Sequence, residues 1–572
     1  MGKARTPRPT DAPKPVEPPV EVIYDLFGLP TAFHKAGLAG LILLIESLKA
    51  RQVLTVDEAK YDTTATGATV AFTEKLVGKI FDDMYDAEPG QVKEKKVESR
   101  KKKKTEAEEP NKKSKEAPPV PKLTALRDML PDGDELWVKL WRDMIFQAPR
   151  SQPATWKPYK DRIAGLPYRL KDRDPWGDLQ RYYAAHRNGQ SSTGKLSGSL
   201  LLGIQEDNPE MVPCQGYLHQ NLLLHFWPLA VLLFAPQQLK AEKKNGEFQV
   251  TTNPVGYTLA VPDVSNLKDF VREFPKLLAS LTKDARGYRP AQAVIDLPAE
   301  SALAFLDDLA VLTGLQVETG ELRFSISAVE YLHVFKEKRN VKTMTAGRVG
   351  PNRRLLSSYR AIACPKDEST RYRNSLFRRG LLTALLDGLE WYQPFVRTFS
   401  MFDAKTFIRQ PRKVEDKKGS PQFATDAAKK FRHETKLFTQ TLERQADMPD
   451  IPRPTAPPAV IVNRVVRSYL LARTEEKTGI DPGRYKTPDG ETDYKAIPGE
   501  FNEAKQKLAL SLMLEFRSRR DQAFVDHFAA MFFSVTQRLA EADRLELANL
   551  LTVADRRDDL KTLTLLSLSA NS

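Results

Sequence analysis

Cysteine is nearly absent: Cys214 and Cys364 are the only two in 572 residues, and they form no CxxC pair. That removes a disulfide framework and a structural zinc site from consideration, and it fits a reducing cytoplasm. A long uninterrupted apolar run is missing as well. The nearest approach, Tyr217 to Ala235, contains His219, Gln220, Asn221, His225 and Pro228, so it reads as a buried helix broken near Pro228, with no membrane partner. The N-terminal stretch MGKARTPRPTDAPKPVEPP lacks the apolar core of a secretory signal, and residues 1–20 read as a disordered Pro-rich lead-in with no export expected.

Catalytic signatures are also lacking. The seven histidines, His34, His186, His219, His225, His333, His433 and His527, stand in no HExxH, HD or HxH pattern. No GxSxG or kinase set occurs. The ExK triplets at Glu415 to Lys417 and Glu475 to Lys477 sit in polar stretches without the strand and upstream acid of a nuclease site. Gly189, Gly194 and Lys195 nearly spell a phosphate loop, but Leu196 stands where a Mg²⁺-binding hydroxyl belongs, and the helix-like RYYAAHR precedes it instead of a strand. No catalytic residue, metal site or cofactor is therefore expected, and a binding role is favoured.

Positive charge is abundant. Lys and Arg number 88 against 74 acids, a formal +14, with a pI near 9.4, which favours a polyanionic partner. The length calls for two or three domains. The expected fold class is α+β, a mixed α/β N-terminal body over residues 21–447 followed by a C-terminal α-helical bundle over 448–572.

Within the body, Val20 to Tyr24 reads as a short strand and the Thr-rich stretch ending ATGATVAF as a β-hairpin, followed by a helix from Thr73 to Tyr85. Residues 88–121 are rich in Lys and Glu with few large apolar side chains, a flexible charged linker. Helices are expected around Ala125 to Phe146, Trp176 to His186, Asn266 to Leu281 and Ala299 to Thr313. Strands are expected in GEFQVTT, GYTLAV and LQVETGELRFSISAVEYLHVF, with a turn at Lys244 to Gly246. The five prolines of MPDIPRPTAPP, Met448 to Pro458, mark the second boundary. Beyond it Ala459 to Thr478, Gly499 to Arg519, Asp521 to Glu541 and Leu545 to Leu568 read as amphipathic helices.

Three basic or polar sets are candidates for nucleic-acid contact. The loop 188–199 carries Asn188, Gln190 and Lys195 among glycines and serines, suited to close approach to a DNA groove or equally to a plain connector. The region 336–379 supplies Arg348, Asn352, Arg353, Arg354, Arg371, Arg373, Asn374, Arg378 and Arg379 for backbone phosphates, with Tyr372 and Phe377 available for stacking; the alternative is a solvated charged face. On a helix from Thr370, Arg371, Asn374 and Arg378 would share one side. The C-terminal bundle adds Arg464, Arg467, Arg473, Lys505, Lys507, Arg517, Arg519 and Arg520; of these Arg464, Arg467, Lys505 and Arg517 are the candidate strand contacts.

The block Asp25 to Lys49, DLFGLPTAFHKAGLAGLILLIESLK, is the most distinctive string. Thr31 is a candidate N-cap, Leu38, Leu41, Leu44, Ile45 and Leu48 recur at helical spacing, and Gly37 and Gly40 leave room for another backbone. The block resembles the N-terminus of the large subunit of type I-B (Myxan-type) CRISPR Cascade complexes. The resemblance implies a non-catalytic subunit at the 5′ end of the CRISPR RNA that recognises the protospacer-adjacent motif in duplex DNA, aids opening and holds the displaced strand. Implied partners are the Cascade backbone subunits, the small subunit and the nuclease-helicase. It further implies a C-terminal part similar to the small subunit, with Met448 as a candidate internal start. Two other classes stay open, a nucleic-acid enzyme or accessory subunit with an unrecognised site and a scaffold that binds only protein.

Overall fold

The computed structural model describes residues 18–88, 122–130, 137–143, 157–166, 174–198, 200–202, 212–244, 247–281, 293–313, 325–337, 340–363, 371–409, 422–446, 454–485 and 496–572. Most of the lead-in and of the charged linker, Ser199, Cys364, Met448 and the Asn245-Gly246 turn lie outside them. The chain divides into two units, residues 1–236 with 255–352, and residues 237–254 with 353–572. The architecture is α+β, with the sheets concentrated in the N-terminal half and helices in the C-terminal region.

The first unit begins with β1 (Val20–Asp25), α1 (Ala32–Ala50), β2 (Lys60–Thr63), β3 (Gly67–Phe72) and α2 (Glu74–Met84). The strands form an antiparallel sheet in the order β1-β3-β2. Then come the short strands β4 (Ala87–Glu88) and β5 (Lys122–Leu123), α3 (Trp137–Asp143), α4 (Lys157–Ile163) and α5 (Pro175–Arg187). Among the described residues the expected helix around Ala125 to Phe146 appears as a 3-10 turn, Arg127–Met129, and the short α3. Next are β6 (Thr193–Lys195), β7 (Gln215–Tyr217) and α6 (Leu218–Leu223).

The apolar stretch expected as one broken helix is a correction. After α6 it forms a 3-10 turn at Trp227–Leu229 and then enters β8 (Leu232–Lys244). Short apolar runs do not distinguish strand from helix by periodicity. Here Leu232–Phe234 pair with a neighbouring strand, and tertiary pairing decides.

That strand leads to β9 (Glu247–Pro254), β10 (Tyr257–Val264), α7 (Leu267–Ser280), β11 (Val294–Ile295), α8 (Glu300–Leu312), β12 (Ile326–Glu337) and β13 (Asn340–Val349). The main sheet runs β11-β8-β10-β12-β13, with β9 on β8. All its pairings are antiparallel except β11 with β8. Residues 237–254, the distal part of the β8–β9 hairpin, belong to the second unit.

The helix α1 organises the first unit. Thr31 caps it, its side chain accepting the His34 N–H, and Leu38, Leu41, Ile42, Leu44, Ile45 and Leu48 are wholly buried. Each such side chain stabilises the fold by about 1.5–3 kcal/mol. Gly37 and Gly40 let the helix lie against the backbone after α6: a Cβ on Gly37 would stand 2.2 Å from the Leu223 carbonyl oxygen, and one on Gly40 2.1 Å from that of Phe226. The expected room for a second backbone is filled by this segment.

The second unit contains α9 (Arg353–Ala363), α10 (Ser375–Asp387), α11 (Phe395–Met401), α12 (Phe423–Ala446), α13 (Pro458–Thr478), α14 (Gly499–Ser518), α15 (Asp521–Thr536), α16 (Glu541–Thr552) and α17 (Arg557–Asn571). The single helix expected from Leu545 to Leu568 is two, separated at Val553–Arg556. From Thr562 to Ala570 α17 is buried on every side, as a helix at the centre of a bundle must be. Its two buried threonines bond their own backbone, Thr562 Oγ1 donating to Asp558 O and Thr564 Oγ1 to Leu560 O, each at 2.7 Å, and Ser569 Oγ donates to Phe407 O.

One core joins Phe377, Phe395, Phe407, Phe423 and Phe431 to Phe516, Phe524 and Phe532. The core therefore extends on both sides of the Pro-rich stretch at which the sequence places a boundary.

Two outcomes follow. Gly40→Ala is expected to lower the thermal midpoint, because the overpacking cost of about 1–3 kcal/mol exceeds the helix-propensity gain of about 1 kcal/mol; an unchanged or raised midpoint would refute the contact. A product starting at Met448 would lack α9 to α12, and with them the core residues Phe423, Phe431 and Phe438, each worth about 3–5 kcal/mol on truncation. Produced alone, it should not give a cooperative melt, and a sharp two-state transition would contradict the shared core.

Candidate nucleic-acid interface

In the first unit α5 ends at Arg187, and the backbone N–H of Asn188 donates to the carbonyls of Ala185 and His186. Gly189 takes the left-handed conformation, φ +65°, and the Gln190 N–H returns to Ala185 O at 2.9 Å. The chain order is helix, loop, strand, the reverse of a phosphate loop.

β6 then pairs with β7 in the register Thr193↔Tyr217, Gly194↔Gly216 and Lys195↔Gln215. Opposed residues of an antiparallel pair project to one face. Thr193, Lys195, Gln215 and Tyr217 are accordingly exposed, and the two glycines turn inward. There Asn221 Nδ2 donates to Gly194 O at 3.2 Å and to Gly216 O at 3.1 Å. A Cβ on Gly216 would meet Asn221 Oδ1 at 2.3 Å, so this clamp requires glycine. The sequence-predicted Asn188, Gln190 and Lys195 all lie exposed on this turn and ribbon.

The predicted phosphate region is divided between the units, Arg348 and Asn352 in the first and Arg353 onward in the second. Arg348, on β13, pairs with Asp263 and donates to Ser327 Oγ at 3.2 Å. Two more donors reach the same Asp263 carboxylate, Lys35 Nζ at 2.7 Å and Ser327 Oγ at 2.8 Å, so the network ties α1, β10, β12 and β13 together. Beside it, burial and then Asp263 push the Glu330 carboxyl above its usual pKa. Asn352 is exposed just before α9, whose first turn carries Arg353 and the exposed Arg354 with no acid. Cations at this end add to the positive pole of the helix dipole.

The helix expected from Thr370 is corrected: α10 starts at Ser375, with Asn374 as its cap, Oδ1 accepting the Phe377 N–H at 3.0 Å. The buried Asp426 carboxylate accepts the backbone N–H groups of Arg373 and Asn374, both at 2.7 Å, which holds 371–374 extended. Arg371 and Arg373 are exposed, Arg378 and Arg379 half-buried on α10. Phe377 is fully buried, and the Tyr372 ring leans on it at 5.6 Å. Burial raises the Tyr372 pKa. The buried Phe377 serves the core and offers no stacking face.

In the later helices, Arg464 faces the buried Asp543 at 3.4 Å and lies over the Phe438 ring. Arg467 is exposed. Lys505 is buried, its pKa lowered to about 8 by desolvation and then by the neighbouring Arg409 and Arg467.

Arg517 lines a cleft of about 510 Å³ with Arg397, Arg520, Arg557 and Lys561, opposed by Asp521 and Asp558. Arg517 donates to Ser400 O at 3.0 Å. Lys561 donates to Arg519 O at 2.5 Å, and burial keeps its pKa below the usual lysine value. The floor is apolar, Phe399, Phe524 and Leu565. Arg397, Arg557 and Lys561 were missed by the sequence reading, since they lie on α11 and α17, far apart in the chain, and only packing gathers them.

Among the described residues no group of three or more His, Cys, Asp or Glu is placed to hold a metal. No described helix is long and apolar enough to cross a membrane.

The type I-B CRISPR Cas8b N-terminal domain model matches residues 58–318, and the Cas8b C-terminal domain model matches 326–571. The chain belongs to the Cas8b family. Together the two matches span most of its length, and no curated protein matches it. As a Cas8b-family chain it is a large subunit of type I-B CRISPR systems, which implies a place in a Cascade complex with other Cas subunits, and Cas8 large subunits are generally non-catalytic. The C-terminal match starts at β12, so it takes in two strands of the first unit as well as the helices of the second.

Lys505 yields a signed pH expectation. Its folded pKa lies below the ordinary 10.5, so between about 8 and 10.5 the unfolded state binds more protons and stability rises with pH. Below about 8 the buried charge opposes folding in full. Lys505→Met should raise stability at neutral pH and flatten the rise above pH 8 in denaturant melts; an unchanged slope would place the charge in solvent.

Proposed function

We propose that the chain reads the protospacer-adjacent motif in duplex DNA, aids duplex opening and holds the displaced strand, while contacting the 5′ end of the CRISPR RNA and recruiting the nuclease-helicase. The observation that carries this reading is the outward face of the β6–β7 ribbon with its adjoining turn. Asn188, Gln190, Lys195 and Gln215 are exposed on narrow backbone kept thin by Gly189, Gly194 and Gly216. Amides reach base edges in a groove, a lysine meets phosphate, and the Asn221 clamp fixes the ribbon before DNA arrives.

The division of labour has an energetic basis. Base pairing with the guide supplies most sequence specificity, and replacing a DNA duplex by a heteroduplex is nearly balanced. A few base contacts, each worth about 1–3 kcal/mol, therefore suffice to decide which duplexes open. For the displaced strand, the cleft of Arg397, Arg517, Arg520, Arg557 and Lys561 offers cations around an apolar floor, and the α9 terminus with Arg353 and Arg354 is a further phosphate contact.

The deciding experiment is binding of the reconstituted RNA-containing complex, with and without this subunit, to duplexes carrying a randomised flank. Selection of a short flank only with the subunit present is expected; equal recovery of all flanks would refute motif reading. Arg397→Glu with Arg520→Glu, both exposed, should weaken single-strand binding and reduce its salt dependence while leaving flank selection intact. Unchanged salt dependence would remove the cleft from the strand path.

A further inference from the structure

Next to the ribbon the first unit carries a series of mutually tilted rings that leads from the core to the surface. His219, at the start of α6, lies 4.3 Å from Tyr182 of α5, 6.0 Å from Tyr24 of β1 and 6.0 Å from Tyr217 of β7, centroid to centroid. Tyr182 in turn lies 5.6 Å from His186. The four interplanar angles are 33°, 34°, 32° and 39°. Two buried pairs nearby meet edge-on, Phe33 with Trp227 at 89° and Phe81 with His225 at 82°, while Phe81 with Phe226 is tilted at 48°.

The inclined rings form a continuous series. It runs from Tyr24, 2% exposed, to Tyr217, 48% exposed, with His186 also at the surface. The inner end is fastened, Tyr24 Oη donating to His219 O at 3.0 Å. The outer end is held by the ribbon, where Tyr217 stands opposite Thr193, two residues from Lys195.

We propose that Tyr217, backed by His219 and Tyr182, is a stacking platform for one unpaired nucleobase of a strand whose backbone passes Lys195. This rests on the motif-reading proposal and adds to it, because a base leaving the duplex beside the ribbon needs a partner for the face it loses. Aromatic rings accept any base, since every base has a π-face, and their contribution is independent of sequence. The His219 pKa is lowered to about 4 by burial and then by His186, so at neutral pH the ring behind Tyr217 bears no charge. Asn188 and Gln190, exposed on the turn after α5, flank it with amides.

The full-length chain is tested with short single-stranded oligonucleotides bearing one 5-iodouracil, in a DNA arm and an RNA arm, followed by irradiation and peptide mapping. A cross-link to Tyr217 is expected, and the arm that gives it identifies the strand chemistry. Cross-links confined to other residues in both arms would overturn the platform.

Affinity provides the second readout. Oligothymidylate should bind more tightly than an abasic phosphodiester of equal length, by a factor of about 5 to 150 per stacked base. Tyr217→Ser should erase that factor with an unchanged salt slope, and Tyr217→Phe should keep it. Retention of the factor by the serine variant would refute the proposal.

Flank selection by the assembled complex separates the two readings. Selection that persists without the Tyr217 cross-link removes only the platform. A cross-link without selection removes motif reading and leaves a base-binding surface.

Discussion

The first unit depends on the contact of a helix with a bare backbone, α1 at Gly37 and Gly40 against the carbonyls of Leu223 and Phe226. No side chain separates the two, so the segment after α6 has one position along the helix. α6 carries Asn221, which clamps both strands of the β6–β7 ribbon, and His219, which meets Tyr24, Tyr182 and Tyr217. The helix that looks purely structural thus places the ribbon and the rings beside it. Preorganisation of this kind lowers the ordering cost when a ligand binds.

Electrostatics divides the cations by what surrounds them. Arg348 and Lys35 converge on the nearly buried Asp263, and Arg464 faces the buried Asp543, so these charges hold elements together. Arg397 and Arg520 stand exposed at a cleft, and Arg354 stands exposed at a helix N-terminus. A formal +14 describes the chain as a whole and says little about where a polyanion would rest. Pairing with buried carboxylates removes some arginines from that role, and packing brings others into it.

The second unit is built round its last helix. α17 is enclosed by α12, α13 and α14, so helices from both sides of the Pro-rich stretch share one core. Prolines end helices because they lack an N–H and clash with the preceding turn. They carry no information on whether the helices before and after them pack together. The C-terminal family match agrees with a shared unit in covering 326–571 without interruption.

Local rules were legible in the sequence. The Thr31 cap, the buried face of α1, the need for small residues at Gly37 and Gly40, the β2–β3 hairpin and the main C-terminal helices follow from capping, periodicity and turn chemistry, which act over a few residues. The family that the Asp25 to Lys49 block resembles is the one the domain matches show, although both matches begin beyond that block. What required tertiary structure were the outcomes decided by partners distant in the chain. Leu232–Phe234 became a strand because β10 lies beside them, Asn374 became a cap because Asp426 binds its backbone, and Phe377 turned into the core. The cleft cations assemble from α11, α14, α17 and the residue before α15, and the ring series from β1, α5, β7 and α6. The sequence by itself determined which segments could be helices or strands and which family the chain joins; packing decided which charges stay open and which rings keep a free face, because both depend on neighbours that no local pattern encodes.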